Sequence, residues 1–176
     1  MEADIVSRLI RDAFPLQPIP TMTLHQAQLA DQTMDREIPE KEWKDVGDSD
    51  AGRTWQDITD EELIHCDAAL SHFDETSFVY YLPAYLLFAV RSCSAEWSDP
   101  AESTVGSVVF SVTHRTPYTL GRFKRFSPEQ RAAVIAFLEL ISEKGNHHER
   151  PQAQKALDRY WKTDEASKPF FIVPIK

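Results

Sequence analysis

Glycine is scarce, at 5 of 176 residues. Tight hairpins and sharp βα turns draw on glycine, so its shortage weighs against a strand-rich chain. Cys66 and Cys93 are the two cysteines, too few for a disulfide framework and not a CxxC pair. No apolar run approaches the ~18 residues of a membrane span. Met1-Glu2-Ala3-Asp4 places acids where a secretory signal would begin its apolar stretch. A Gly-rich phosphate loop, a nucleophile elbow and a zincin motif are also missing. These absences point to a cytoplasmic protein without a membrane segment. At this length, one domain over residues 1–176 buries about 70% of its unfolded surface and needs neither a metal nor a disulfide to hold it.

Positive charge is also in short supply. There are 19 basic residues against 28 acidic ones, a net charge of −9. Residues 31–75 concentrate the excess, with 15 acids and 4 bases, while the rest of the chain is near balance. Such a surface repels phosphate backbones, whose binding depends on Lys and Arg, so no nucleic-acid partner is expected. It favours and accelerates encounter with a basic protein.

Apolar spacing and capping residues predict a mostly α, single multi-helix domain. Ile5, Leu9, Ile10 and Ala13 or Phe14 recur at helical intervals over 3–14. Pro15, Pro18 and Pro20 then end the helix. Thr21 or Thr23 caps a second helix that turns Leu24, Ala27 and Met34 inward. A short helix over Pro39–Asp45 is anchored by Trp43. Residues 47–54, with two of the five glycines, read as a loop. Trp43-Lys44-Asp45-Val46 and Trp55-Gln56-Asp57-Ile58 echo each other on either side of it, too briefly for a repeat. Thr59-Asp60-Glu61-Glu62 is a capping box opening a helix to about Ser71. Asp74 caps the next start, and Pro83 either kinks that helix or begins another. Residues 84–91 are apolar nearly all round, which places 75–95 at the centre of the fold and Cys93 in its apolar helix. Val105–Val112 is rich in β-formers. Its one available strand partner would be the C-terminal tail, and a two-stranded ribbon is marginal. Context therefore favours helix, with a small extended or β element at 105–112 and the tail as the alternative. Ser127-Pro128-Glu129-Gln130 opens the strongest helix, Gly145 ends it, and Pro151 opens the last. The apolar tail at 165–176 should dock on the domain or on a second copy.

Phe78-Val79-Tyr80-Tyr81-Leu82-Pro83-Ala84-Tyr85-Leu86 resembles the signature block of a family of small, uncharacterised, mainly bacterial proteins. The family's Trp-x-Asp-(Ile/Leu) element matches Trp55-Gln56-Asp57-Ile58, and its Leu-Ser-x-Phe segment matches Leu70-Ser71-His72-Phe73. Arg125-Phe126, the helix with Gln130-Arg131-Ala132-Ala133-Val134, and Ala156-Leu157-Asp158-Arg159-Tyr160-Trp161 follow in the same order. Ile10–Phe14 fits the N-terminal helix of the family. The resemblance implies no activity, cofactor or catalytic residue.

Several groups invite chemistry. Glu62 and His65 have ExxH spacing, and His72 lies two turns on, so a metal-dependent enzyme could be built on a Glu62/His65/His72 face. The spacing lacks the second copy that di-metal bundles use. Cys66 has acidic neighbours, which oppose a thiolate nucleophile. His147 and His148 are adjacent in a loop and point apart. Tyr80, Tyr81 and Tyr85 fit core packing better than a pocket. Arg115, Arg122, Lys124, Arg125 and Arg131, with Phe123 and Phe126 among them, either pair with the acidic segment or line a partner surface. No metal or cofactor is expected. The reading that remains is a binding protein of the immunity or antitoxin type, occluding a basic toxin enzyme. Asp45, Asp48, Asp50, Asp57, Asp60 and Glu61 would supply the complementary surface. A homo-oligomer held by the tail is the third reading.

Overall fold

A computed structural model describes residues 2–16, 20–34, 36–94 and 99–163. Ten α-helices and no strand occur among them, in a single compact domain. The tail proposed as a docking or oligomerisation element lies outside the described residues.

Six of the helices begin where a side chain accepts from their free N–H groups, at Thr23, Thr59, Asp74, Asp99, Thr116 and Ser127. α1 (Ala3–Ala13) turns Val6 and Ile10 into the core and leaves Ile5 and Leu9 outside. α2 (Leu24–Gln32) starts from a capping box of Thr23 and Gln26. It buries Leu24 and Ala27, whereas Met34, expected inside, lies beyond its end and is exposed. α3 (Glu40–Ser49) continues through Gly47, so the expected loop shrinks to residues 50–54. The glycine has a packing reason to be helical. A Cβ at Gly47 would sit 2.5 Å from Nε2 of Gln26, which donates to the Trp43 carbonyl. The turn itself passes through Gly52, whose φ of 77° suits a residue without Cβ.

A 3₁₀ turn (Trp55–Asp57) leads to α4 (Asp60–His65) and α5 (Ala69–His72). One helix was expected here, and the chain contains no Gly or Pro that would break it. The break has a tertiary cause. The carbonyl of Cys66 accepts from the buried hydroxyl of Tyr85 at 2.5 Å and from the N–H of Ala69 at 3.1 Å. The two tetrads around the loop do not fold alike, since Trp43 is half-buried on an α-helix and Trp55 is buried on the 3₁₀ turn.

α6 (Glu75–Arg91) is the central helix. Asp74 accepts from the N–H groups of Thr76 and Ser77 to start it. Every residue from Tyr80 to Val90 is buried. Pro83 sits inside the helix and does not restart it, and packing on several sides offsets the lost hydrogen bond. Cys93 lies past the end of α6 and is half-buried, which corrects its placement in the apolar helix. α7 (Pro100–Thr113) contains the ambiguous valines as helix, burying Val105, Val108, Val109 and Val112 against α6 and neighbouring helices. Packing of that face overrides β-propensity. The indole of Trp161 donates to the Val112 carbonyl at 2.8 Å and satisfies the end of α7.

α8 (Pro117–Phe123), α9 (Pro128–Lys144) and α10 (Glu149–Ala156) complete the domain. α10 starts two residues before Pro151 and passes into a π turn over Leu157–Trp161. There Trp161 stacks near Phe123 and Phe126, with ring centroids at 5.0 and 6.1 Å, while Phe126 meets Phe14 at 6.2 Å. This aromatic cluster ties the last helix to the first. His147 and His148 sit in a turn with their rings 3.8 Å apart, so they face each other and do not point apart.

Candidate functional site: the acidic face

The acids nominated from sequence fall on α3, the 3₁₀ turn and α4. Five of the six are exposed: Asp45, Asp48, Asp57, Asp60 and Glu61. Asp50 is a correction, being only 6% exposed and unable to present a surface. It accepts from the backbone N–H of His25 at 3.1 Å and contacts the same imidazole's Nδ1 at 2.7 Å. Arg53 lies 3.6 Å from Asp50 and forks onto Glu62 at 2.6 and 2.8 Å. A chain of polar contacts therefore runs from His25 on α2, through Asp50 at the end of α3 and Arg53, to Glu62 on α4. It pins together the elements that bear the exposed acids, so Asp50 positions the face from beneath. His25 and Asp50 are 25 residues apart in sequence, and no local pattern announces the pair.

The exposed acids differ in how firmly they are held. Asp45 and Asp48 meet Lys41 and Lys44 one turn away on α3, at 2.6 and 2.8 Å. Lys41 is 87% exposed, and pairs in such a setting contribute little. Asp57 accepts from both the N–H and the hydroxyl of Thr54, at 2.7 and 2.8 Å. Those bonds, the N–H first, hold its pKa below the usual carboxylate value. Asp60 pairs with Arg91 of α6. Glu61 makes no ion pair among the described residues.

Glu62 is already committed. The Arg53 fork, followed by the N–H and hydroxyl of Thr59, holds its carboxyl down at about 2 despite partial burial. His65 ends α4, whereas His72 lies on α5 and contacts Asp31 at 3.1 Å. The helix break thus disrupts the shared face on which a Glu62/His65/His72 metal site depended. Among the described residues, no three His, Cys, Asp or Glu side chains are grouped to hold a metal. Cys66 is fully buried, and burial, followed by the charges of Asp50, Glu62 and Asp67, pushes its thiol up to about 12. At neutral pH it is a protonated core residue. Tyr80, Tyr81 and Tyr85 are all buried, and desolvation raises the pKa of each.

Of the basic cluster, Arg122 alone is buried, Arg131 is half-buried, and Arg115, Lys124 and Arg125 are exposed. Arg125 pairs with Glu75 at 2.7 Å, and Arg115 reaches the Arg159 carbonyl at 3.3 Å. Arg122 is 2% exposed and bonds no carboxylate. Its guanidinium donates to the carbonyls of Leu70, Ser71 and Phe73, at the C-terminal end of α5, and to the Tyr118 hydroxyl. It also lies over the rings of Phe78 and Tyr118, at 4.6 and 4.2 Å. A cation at a helix C-terminus satisfies free carbonyls and the dipole together. None of the described helices is long and apolar enough to cross a membrane.

The model of a protein family described as "Family of unknown function (DUF6714)" matches residues 1–165. No curated protein and no solved structure matches the chain.

Proposed function

The chain belongs to this family of unknown function, and on that premise we propose that it works by binding, its acidic face receiving a basic partner protein. The specific form is an immunity or antitoxin-type inhibitor that occludes a basic toxin enzyme in the cytoplasm. The observation that carries this reading is the state of the counter-ions. Asp45 and Asp48 are neutralised by flexible, exposed lysines on their own helix, and Glu61 has no counter-ion among the described residues. A partner's arginines can displace such lysines at little cost, since exposed pairs contribute only about 0–1 kcal/mol. The contacts of buried Asp50 and half-buried Arg53 keep the underlying elements in place when the partner arrives. Complementary charge of this kind speeds encounter and selects against acidic competitors.

The test is affinity capture from the native host on the immobilised full chain, at low and high salt. A parallel capture uses the Asp45→Asn, Asp48→Asn, Glu61→Gln variant. The proposal expects one basic protein that wild type retains at low salt, that salt sheds, and that the variant fails to hold. Capture indifferent to both salt and the three substitutions, or no specific capture, removes it.

A further inference from the structure

Two depressions meet along one ridge at the C-terminal end of α7. The ridge is Phe110 with His114, whose rings stack with centroids 4.6 Å apart. On one side a groove of about 300 Å³ runs between α7, α5 and α8, past Thr116 and Tyr118. Its accessible surface is aromatic, since Phe110 is 50% and Tyr118 52% exposed. On the other side a depression of about 210 Å³ lies against α10 and the π turn, lined by Arg115, Lys155 and Arg159. These three cations are exposed and have no carboxylate partner among the described residues. Asp158, their neighbour in sequence, accepts from the Gln154 amide instead. In a chain of net charge −9, three unmatched cations beside two exposed aromatic rings are a local departure.

We infer that this surface receives the chain's own C-terminal segment, with Asp164 and Glu165 on the cations and Phe170–Ile175 in the aromatic groove. The place where the described chain ends supports that occupant. The Trp161 indole donates to the Val112 carbonyl, and the Arg115 guanidinium donates to the Arg159 carbonyl. The chain therefore leaves the domain beside the ridge. The order of chemistry also matches. Two acids follow Thr163 directly, next to Arg159, and the apolar run comes after them. Phe170 follows Thr163 by seven residues, which an extended chain spans at up to ~25 Å. Val112 and Phe110 differ by only about 3 Å of rise along α7, so the groove is within reach. A tethered segment docks as if at about millimolar concentration, and burying its apolar run removes both surfaces from water. The acidic face takes no part in this contact.

The test is paramagnetic broadening of amide signals in the full chain. A nitroxide is attached at Lys176→Cys in a Cys93→Ser background, with buried Cys66 left in place. Position 176 makes none of the proposed contacts. The amides of Phe110, His114 and Tyr118 should lose most of their intensity, and reduction of the nitroxide should restore it. Phe170→Ser with Phe171→Ser should abolish the loss, and Asp164→Asn with Glu165→Gln should lessen it. A mixture of labelled chain with isotope-enriched unlabelled chain separates the tail of a second copy from the chain's own. The inference is overturned if the loss falls elsewhere on the domain or is absent, if it arises between molecules, or if either pair of substitutions leaves it unchanged.

Discussion

Replacing Arg122 with methionine should destabilise the fold by about 3 kcal/mol. The guanidinium serves the carbonyls of Leu70 at 2.9 Å, Ser71 at 3.3 Å and Phe73. In the variant, Phe73 keeps the Tyr118 hydroxyl at 2.8 Å, and the Ser71 carbonyl, on an exposed residue, can turn to water. Leu70 is 1% exposed, so its carbonyl loses its side-chain donor in the interior. A buried acceptor left bare costs about 1–3 kcal/mol, and each charge-assisted bond is worth about 1.5–3. Against this, the variant no longer desolvates a cation, the burial that lowers the Arg122 pKa, and that cost is several kcal/mol. Methionine refills the space between Phe78 and Tyr118 but without cation–π attraction. The balance, about 3 kcal/mol, is a large part of a typical stability of about 5–15. Urea unfolding should show a lower midpoint at unchanged slope. Arg122→Lys keeps the charge but not the fork, and should fall between the two. A methionine variant within about 1 kcal/mol of wild type would refute the reasoning, because desolvation would then equal the bonds made.

Glu62, with its pKa held at about 2 against an ordinary 4.5, contributes stability that is complete above pH 4.5 and lost as pH falls toward 2. Unfolding measured across that window should show a shallower acid loss for Glu62→Gln than for wild type. An equal loss would place the acid sensitivity elsewhere. Gly47→Ala should cost about 1–2 kcal/mol, because the added methyl displaces the Gln26 amide from the Trp43 carbonyl and disturbs the α2 cap. A variant as stable as wild type in urea would show that Gln26 moves freely. Under native conditions iodoacetamide should modify Cys93 and spare Cys66, whose buried thiol sits near 12. Mass spectrometry showing equal labelling would mean the core opens readily.

Much of the fold was legible from local signals. The capping residues Thr23, Thr59, Asp74 and Ser127 begin helices as expected, and the all-apolar stretch around Pro83 marks the central helix. These features are written within four residues or one helical period. What the sequence hid depends on contacts across many residues. The break at Cys66 is made by Tyr85, and the helical state of Gly47 is tied to Gln26. The burial of Asp50 reflects its bonds to His25. The acidic face was visible as composition, but which acid faces water and which is internal was a tertiary question.

The acidic face is tested most directly by the affinity of the captured basic protein, measured across a salt series for wild type and the Asp45→Asn, Asp48→Asn, Glu61→Gln variant. Binding driven by this face predicts that wild-type affinity falls steadily as salt rises and that the variant binds more weakly with a flatter dependence. Equal affinities and equal salt dependence in the two proteins would contradict it.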